Sequence, residues 1–268
     1  MITKKIYALL IHLCAIGGLI ACATPANHYD PLESVNRLTF AFNDKLDRYA
    51  VKPVAQVYAD YVPAPAQQGV TNFVGNIGDV NSIIGNVMEG EFKNATKDMG
   101  RVLINTVFGM FGLVDWASDM GLEKQERGIG KALGRWGIGT GPYLVLPFLG
   151  PLTVRDSADP IFNWTVGVPA HFNTHKGEYS YLVIGGIGVR ASLLPYERAL
   201  EDQLIFDKYA YIRDSYLQKR YNDVYRGNPP TPFVLGEPMT EEDNLPETIM
   251  VDNTTASAQL HNLTNKQL

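Results

Sequence analysis

Helical periodicity governs this chain. From about residue 29 to residue 226 apolar side chains recur at three- and four-residue steps, with no convincing series of alternating strands among them. Asp30 offers an N-cap to a helix that holds Pro31 in its first turn, and Glu33, three residues on, gives a capping-box arrangement. Leu32, Val35, Leu38, Phe42, Leu46 and Tyr49 then share one face, and Pro53 is expected to end the helix. Val54, Val57, Tyr58 and Tyr61 mark a short helix before an extended Val62-Pro63-Ala64-Pro65. Helical patterns resume at Val70, Phe73, Val74 and Ile77, begin again after Asp79 as a cap, and continue from Glu91 to Phe108. Two longer patterns, about Tyr181 to Ile205 with a break or kink at Pro195 and Asp207 to Arg226, close the body. Tyr143 to Leu149 is the one extended candidate, a hairpin-like piece too isolated to build a larger sheet. The expectation is an all-α fold with one folded domain over residues 29–226.

Glycine sharpens that expectation. Fourteen of the 25 glycines lie between Gly75 and Gly141, which in a helical chain means close backbone approaches, short helices and tight turns. About ten helical residues span ~15 Å, the depth of one leaflet of a bilayer. Beyond Gly227 the composition changes: a Pro-rich break, Gly227 to Pro232, leads into Glu237, Glu241, Glu242, Asp243, Glu247 and Asp252 against Lys266. Residues 227–268 are therefore expected to be a disordered acidic tail, too polar to offset the entropy of ordering.

Residues 1–21 read as an export signal. Lys4 and Lys5 precede a short apolar run from Ile6 to Ile20, and the small Ala21 precedes Cys22. Leu19-Ile20-Ala21-Cys22 resembles the bacterial lipobox, which implies lipid on the Cys22 thiol, cleavage ahead of it, and residues 22–28 as a tether. Ala23, rather than Asp, after that cysteine implies sorting to the outer membrane. Several acyl chains on one residue would anchor stably where one binds only marginally. Cys14 leaves with the signal, so the mature chain has no cysteine pair for a disulfide. Without Lys4 and Lys5 the 23 basic residues fall to 21 against 28 acidic ones, a net charge of −7, which argues against nucleic acid as a partner.

Sequence signatures of catalysis are missing. The glycine clusters match neither a phosphate loop nor a dinucleotide fingerprint, and no G-x-S-x-G elbow presents a serine. Asp115, Asp119, Asp156 and Asp159 are read as caps and turn residues. His171 and His175, with Glu178 nearby, are spaced for one helical face but lack the H-E-x-x-H glutamate, and are read as ordinary surface or cap residues rather than metal ligands.

Four segments in order carry a family resemblance. They are Asp30-Pro31-Leu32-Glu33-Ser34-Val35-Asn36-Arg37 through Phe42-Asn43; Tyr61 to Pro65 followed by Gly69 to Phe73; Arg101 to Thr106 leading to Gly109, Gly112 and Asp115; and Leu133 to Pro147 with Gly150 and Arg155-Asp156. Behind a lipobox, this sequence resembles the MlaA (VacJ) family of outer-membrane lipoproteins, with Leu152 where Ser is frequent and Ile129 where Phe is frequent. The resemblance implies a compact disc or ring of helices held in the inner leaflet of the outer membrane, with a polar passage. It implies removal of phospholipid misplaced in the outer leaflet, delivery to a soluble periplasmic carrier, association with a trimeric porin, and no cofactor.

On that reading Asn36, Asn43 and Asp47, a polar stripe on the first helix, are candidates to line the passage; a plain amphipathic helix with a solvated edge explains them too. Gly137, Gly139, Gly141 and Pro142 are candidates for a gating hinge, or for a structural turn into the extended segment. Phe148 and Trp164 fit either a membrane interface or a packed core. The competing functions are a phospholipid-cleaving enzyme, which would need a nucleophile, base and orienting acid, and a scaffold lipoprotein that stabilises porins or the envelope.

Overall fold

The computed structural model of this protein describes residues 23–165, 175–201 and 207–233. Cys22, His171, the expected export signal and the expected tail from residue 234 onward lie outside them. The first helix, α1 (Glu33–Leu46), does not stop at Pro53. It passes through a π-helical turn (Asp47–Val51) into α2 (Lys52–Tyr61), the turn closing with a bond from the Lys52 N–H to the Asp47 carbonyl. The wider turn sets Pro53 into the opening turn of α2, where a missing N–H costs nothing. Nor does Asp30 cap α1. Its carboxylate is buried, accepting from the Asn36 amide at 2.7 Å and from the Tyr209 hydroxyl.

Only Val62 and Pro63 are extended before α3 (Ala64–Met88), which carries Pro65 in its first turn and runs unbroken past Asp79. The expected second start is absent because Asp79 turns inward to an ion pair instead of capping. After Gly90, at φ 76°, the chain reverses into α4 (Phe92–Val107), and α3 and α4 pack along their length. A loop leads to the short α5 (Trp116–Asp119) and then α6 (Ile129–Arg135), packed against α3. That contact needs a glycine at position 85. A Cβ at Gly85 would stand 2.8 Å from the Gly128 nitrogen.

The extended segment does pair. β1 (Tyr143–Leu146) and β2 (Gly150–Thr153) form an antiparallel hairpin in the register Tyr143↔Thr153, Leu146↔Gly150. Then follow α7 (Ala158–Thr165), α8 (His175–Glu201), which contains Pro195 without interruption, and α9 (Lys208–Val224), capped by the Asp207 carboxylate. α8 packs on α2 and α3, and β1 lies against α1. The chain stays attached beyond Gly227, where the tail was expected to begin. Tyr221 Oη donates to the Thr231 carbonyl at 3.1 Å, and Phe233 stacks on Tyr29 with ring centres 6.2 Å apart. The fold is all-α apart from the hairpin, and no helix among the described residues is long and apolar enough to cross a membrane.

Candidate functional site

Helices α3 and α4 turn their polar faces toward each other. Asn76, Asp79, Ser82 and Asn86 on α3, and Ala95, Asp98, Arg101 and Asn105 on α4, follow the same three-, three- and four-residue steps, and all are buried. The faces interlock: Asn86 Nδ2 donates to Asp98 Oδ2 at 2.7 Å, Arg101 Nε to Asp79 at 3.1 Å, and Asn76 to Thr106 at 3.1 Å. Arg101, 1 % exposed, also donates to both oxygens of Asp115, to Ser118 Oγ and to the Leu122 carbonyl. Its planar fork therefore fastens the 109–122 segment to the helix pair. Asp115 caps α5 as expected and is held down at about 2, against the push of its burial, by bonds from Ser118, Asn105 and Arg101. Asp98 has no ion pair among the described residues, and burial raises it to about 6.

The apolar residues of these helices face outward. Phe92, Met99, Leu103 and Val107 form a continuous exposed face of α4, and Val107, Phe108, Met110 and Phe111 continue it into the loop. On α1 the apolar stripe found in the sequence is likewise outside, with Leu38 74 % and Tyr49 78 % exposed. Val54, Val57 and Tyr61 of α2, and Leu182, Val183, Ile184, Val189 and Leu193 of α8, are exposed as well. An amphipathic helix that buries its charges and exposes its hydrocarbon is folded for an apolar surrounding, because exposed apolar area is unfavourable in water. Phe148 and Trp164 are both exposed, so the core-packing alternative for them does not hold.

Three clefts open beside this interior, two lined by polar side chains and one walled by aromatic rings. One, of about 260 Å³, lies between Gly75 and Gly78 of α3 and the segment Lys124–Lys131, with Arg220 across it. A second, of about 340 Å³, shares Lys124, Glu126, Arg127 and Lys131 with the first and extends to Arg226 and Gly227. A third, of about 310 Å³, is walled by Tyr221, Tyr225 and Phe233 and edged by Gly137 to Thr140.

The polar stripe of the first helix exists, but its groups are spent elsewhere. Asn36 donates to the Tyr143 carbonyl and accepts from the Val145 N–H, both at 2.9 Å; two turns on, Asn43 does the same with the Leu146 carbonyl at 2.9 Å and the Phe148 N–H at 3.0 Å. The two amides act as a third strand for β1, satisfying backbone groups that would otherwise be unpaired. Asp47 takes both Arg190 donors, at 2.7 and 2.8 Å, and so joins the π-turn to α8. These contacts fasten α1 to the hairpin through Asn36 and Asn43, and the π-turn to α8 through Asp47. In the candidate hinge, Gly137 (φ 89°) and Gly139 are exposed, with no neighbouring atom where a side chain would start, while Gly141 has φ 66°. Pro142 is buried, and its carbonyl accepts from Val154 at 3.1 Å. The hinge candidates thus divide into an open half and a fixed half.

Residues 28–223 match the model of the MlaA lipoprotein family. The chain belongs to that family. Among similar proteins is the intermembrane phospholipid transport system lipoprotein MlaA of Escherichia coli (strain K12), 33 % identical over 216 residues that cover 75 % of this chain and 82 % of the relative. An uncharacterized protein of Rickettsia bellii (strain RML369-C) is 36 % identical over 198 residues, covering 73 % and 77 %. A structure solved in work on the structural basis for maintenance of bacterial outer membrane lipid asymmetry superposes with a TM-score of 0.64 at 33 % identity, covering 74 % of this chain and 99 % of that one.

For this MlaA family member the sequence hid the polar interior. Asp79 looked like a cap. Polar residues at three- and four-residue steps on both helices, Asp79, Ser82 and Asn86 on α3 and Asp98, Arg101 and Asn105 on α4, were the available signal of two facing stripes.

Proposed function

We propose that this chain is an outer-membrane lipoprotein that takes phospholipid misplaced in the outer leaflet and passes it, chemically unchanged, to a soluble carrier in the periplasm. Residues 1–21 direct export, Cys22 carries the lipid anchor, residues 22–28 form the tether, and the helical body sits in the inner leaflet on the periplasmic side beside a trimeric porin. One observation carries the reading: α1, α2, α4 and α8 expose their apolar residues while α3 and α4 bury interlocked charges. A headgroup crossing hydrocarbon alone meets a cost of several kcal/mol, and a polar interior inside an apolar rim lowers it while the acyl chains stay in the monolayer. The names of the similar proteins point the same way. The polar clefts along Lys124–Lys131 are the better candidates for the route, with the open Gly137–Gly139 segment as its hinge. The test is phospholipid exposure on the cell surface with and without the gene, beside the fate of labelled lipid given to the purified acylated protein. Deletion should raise surface phospholipid, and the label should be recovered intact. Unchanged exposure would favour a scaffold, and lysophospholipid produced by a specific side chain would favour an enzyme.

A further inference from the structure

Every side chain lining the two clefts that share Lys124–Lys131 is polar, charged or glycine, in a protein whose outer surface is rich in hydrocarbon. Their charges are layered. Lys124, Arg127, Lys131, Arg220 and Arg226 lie on the walls, against the carboxylates Glu126, Asp159 and Asp223. The carboxylates that hold four of these cations stand behind the walls: Asp79 for Lys124 at 2.8 Å, Asp156 for Arg220 at 3.0 Å, and Glu89, which both Arg127 and Arg226 grip. Those three are at most 1 % exposed and line neither cleft. For these four an entering anion meets the cation before its buried counter-charge, and on the walls themselves five cations stand against three carboxylates.

Lys131 sits on the wall common to both clefts, almost buried, 3.1 Å from Asp223 and donating to the Glu126 carbonyl at 2.6 Å. Gly75 leaves space for Lys124; a Cβ there would be 2.8 Å from the ammonium nitrogen. Lysine and arginine donors converging on a small polar space are the chemistry of phosphate recognition.

We propose that this cation-faced strip is a phosphate site that receives the headgroup of net-negative phospholipids and makes the route prefer them over zwitterionic ones. The inference rests on the phospholipid reading above and adds the class of lipid. The experiment gives full-length acylated protein mixed vesicles of phosphatidylglycerol and phosphatidylcholine and measures removal of each. Wild type should remove phosphatidylglycerol about tenfold faster. The double variant Lys124→Gln, Lys131→Met should bring the ratio of the two rates close to one. Gly75→Ala, which displaces the Lys124 amine without removing charge, should lower the ratio part-way. Lys219→Met, which removes a cation outside both clefts, should leave it alone. The double variant should fold, since Asp79 keeps Arg101 and Asp223 keeps Lys219.

Equal wild-type rates for the two lipids overturn the proposal and leave transport standing. Removal of neither lipid overturns transport, and the strip is then decided by phosphorus NMR titration with glycerophosphoglycerol and with inorganic phosphate. Saturable binding of glycerophosphoglycerol, lost in the double variant, keeps the headgroup site. Binding of inorganic phosphate alone makes it a free-anion site and overturns the headgroup assignment, as does binding of neither.

Discussion

Helices α4 and α9 carry the same kind of pattern and use it in opposite directions. In α9, Tyr209 and Leu217 turn inward to pack with Tyr143 and Val145, while Lys208 and Lys219 stand in the open. In α4, Asp98, Arg101 and Asn105 turn inward, while Phe92, Met99, Leu103 and Val107 stand in the open. Amphipathic periodicity states that a helix has two faces and is silent about which one faces the interior. The difference teaches that one molecule is folded for two surroundings. The α9 region follows the rule for water, and the α4 region inverts it. A buried ion pair is no strong source of net stability, yet breaking one is costly, so the two regions should fail differently when their interiors are damaged.

The largest effect should come from the polar interior. Among the described residues, Arg101→Met leaves the fully buried Asp79 with Lys124 alone and takes from Asp115 its only paired cation. The expected loss is about 3–5 kcal/mol of unfolding free energy, read from denaturant melts in detergent. A loss below about 1 kcal/mol would mean that water enters this interior and screens the pairs.

A matched pair of leucines tests the inversion itself. Leu217 is 0 % exposed, and Leu217→Ala should cost about 2–5 kcal/mol of stability. Leu103 is 58 % exposed, and Leu103→Ala should move stability by no more than about 0.5 kcal/mol. In the unacylated Cys22→Ala background, however, the Leu103 variant should bind lipid vesicles roughly tenfold less tightly, as expected if the leucine is buried in hydrocarbon. Equal vesicle binding would make the exposed face of α4 a contact for something other than lipid.

Asp98 gives the polar interior a pH signature. Its folded pKa, about 6, lies above the ordinary 3.8 because the carboxyl is buried, so the folded chain holds this proton more tightly than the unfolded chain. Its unfavourable contribution is absent below pH 4, grows through pH 4–6 and is complete above 6, so stability should fall over that window as pH rises. Asp98→Asn should stabilise the protein by about 2 kcal/mol at pH 8 and flatten that part of the profile. Asp115 works the other way: its carboxyl, lowered to about 2, supports the fold above pH 4 and loses that support as pH falls through 2. An unchanged slope between pH 4 and 6 in the Asp98 variant would place the titration elsewhere.

Much of the architecture was legible, and the misreadings share a cause. The all-α body, the α4 and α9 boundaries to within two residues, the isolated hairpin segment and the family were readable because helical period and motif order survive any choice of solvent. Two local errors came from assigning polar residues to the roles they fill in water: Asp30 and Asp79 were given caps. Both lie in the interior, where a polar group bonds to whatever stands opposite, Tyr209 for the one and Arg101 for the other. Pro53 was misread because a π-turn, invisible in composition, absorbs it. The cationic strip went unseen because Lys124, Arg127 and Lys131 come together with Arg220 and Arg226 only when α9 folds back onto α6.

The smallest expected effect separates stability from lipid binding by sign. Met110 and Phe111 have φ of 53° and 62°, a left-handed conformation that costs a bulky residue roughly 1–2 kcal/mol. Glycine is already used on either side, at Gly109 and Gly112, where a Cβ would meet the Val114 carbonyl or the Asn76 side chain. Arg226 is also left-handed, at φ 56°, but its guanidinium bonds to Asn86 and Glu89 at 2.8 Å, an internal return for the strain. Met110 and Phe111 are instead 65 % and 77 % exposed, so their side chains give no such internal return. Phe111→Gly should therefore leave stability in detergent unchanged or raise it by about 0.5 kcal/mol, the relief of strain being partly cancelled by the freer unfolded chain. The same variant should bind vesicles several-fold more weakly in the Cys22→Ala background. If it is less stable in detergent and binds lipid as before, the loop belongs with α9 as ordinary packing, and the hydrocarbon-facing surface stops short of residue 110.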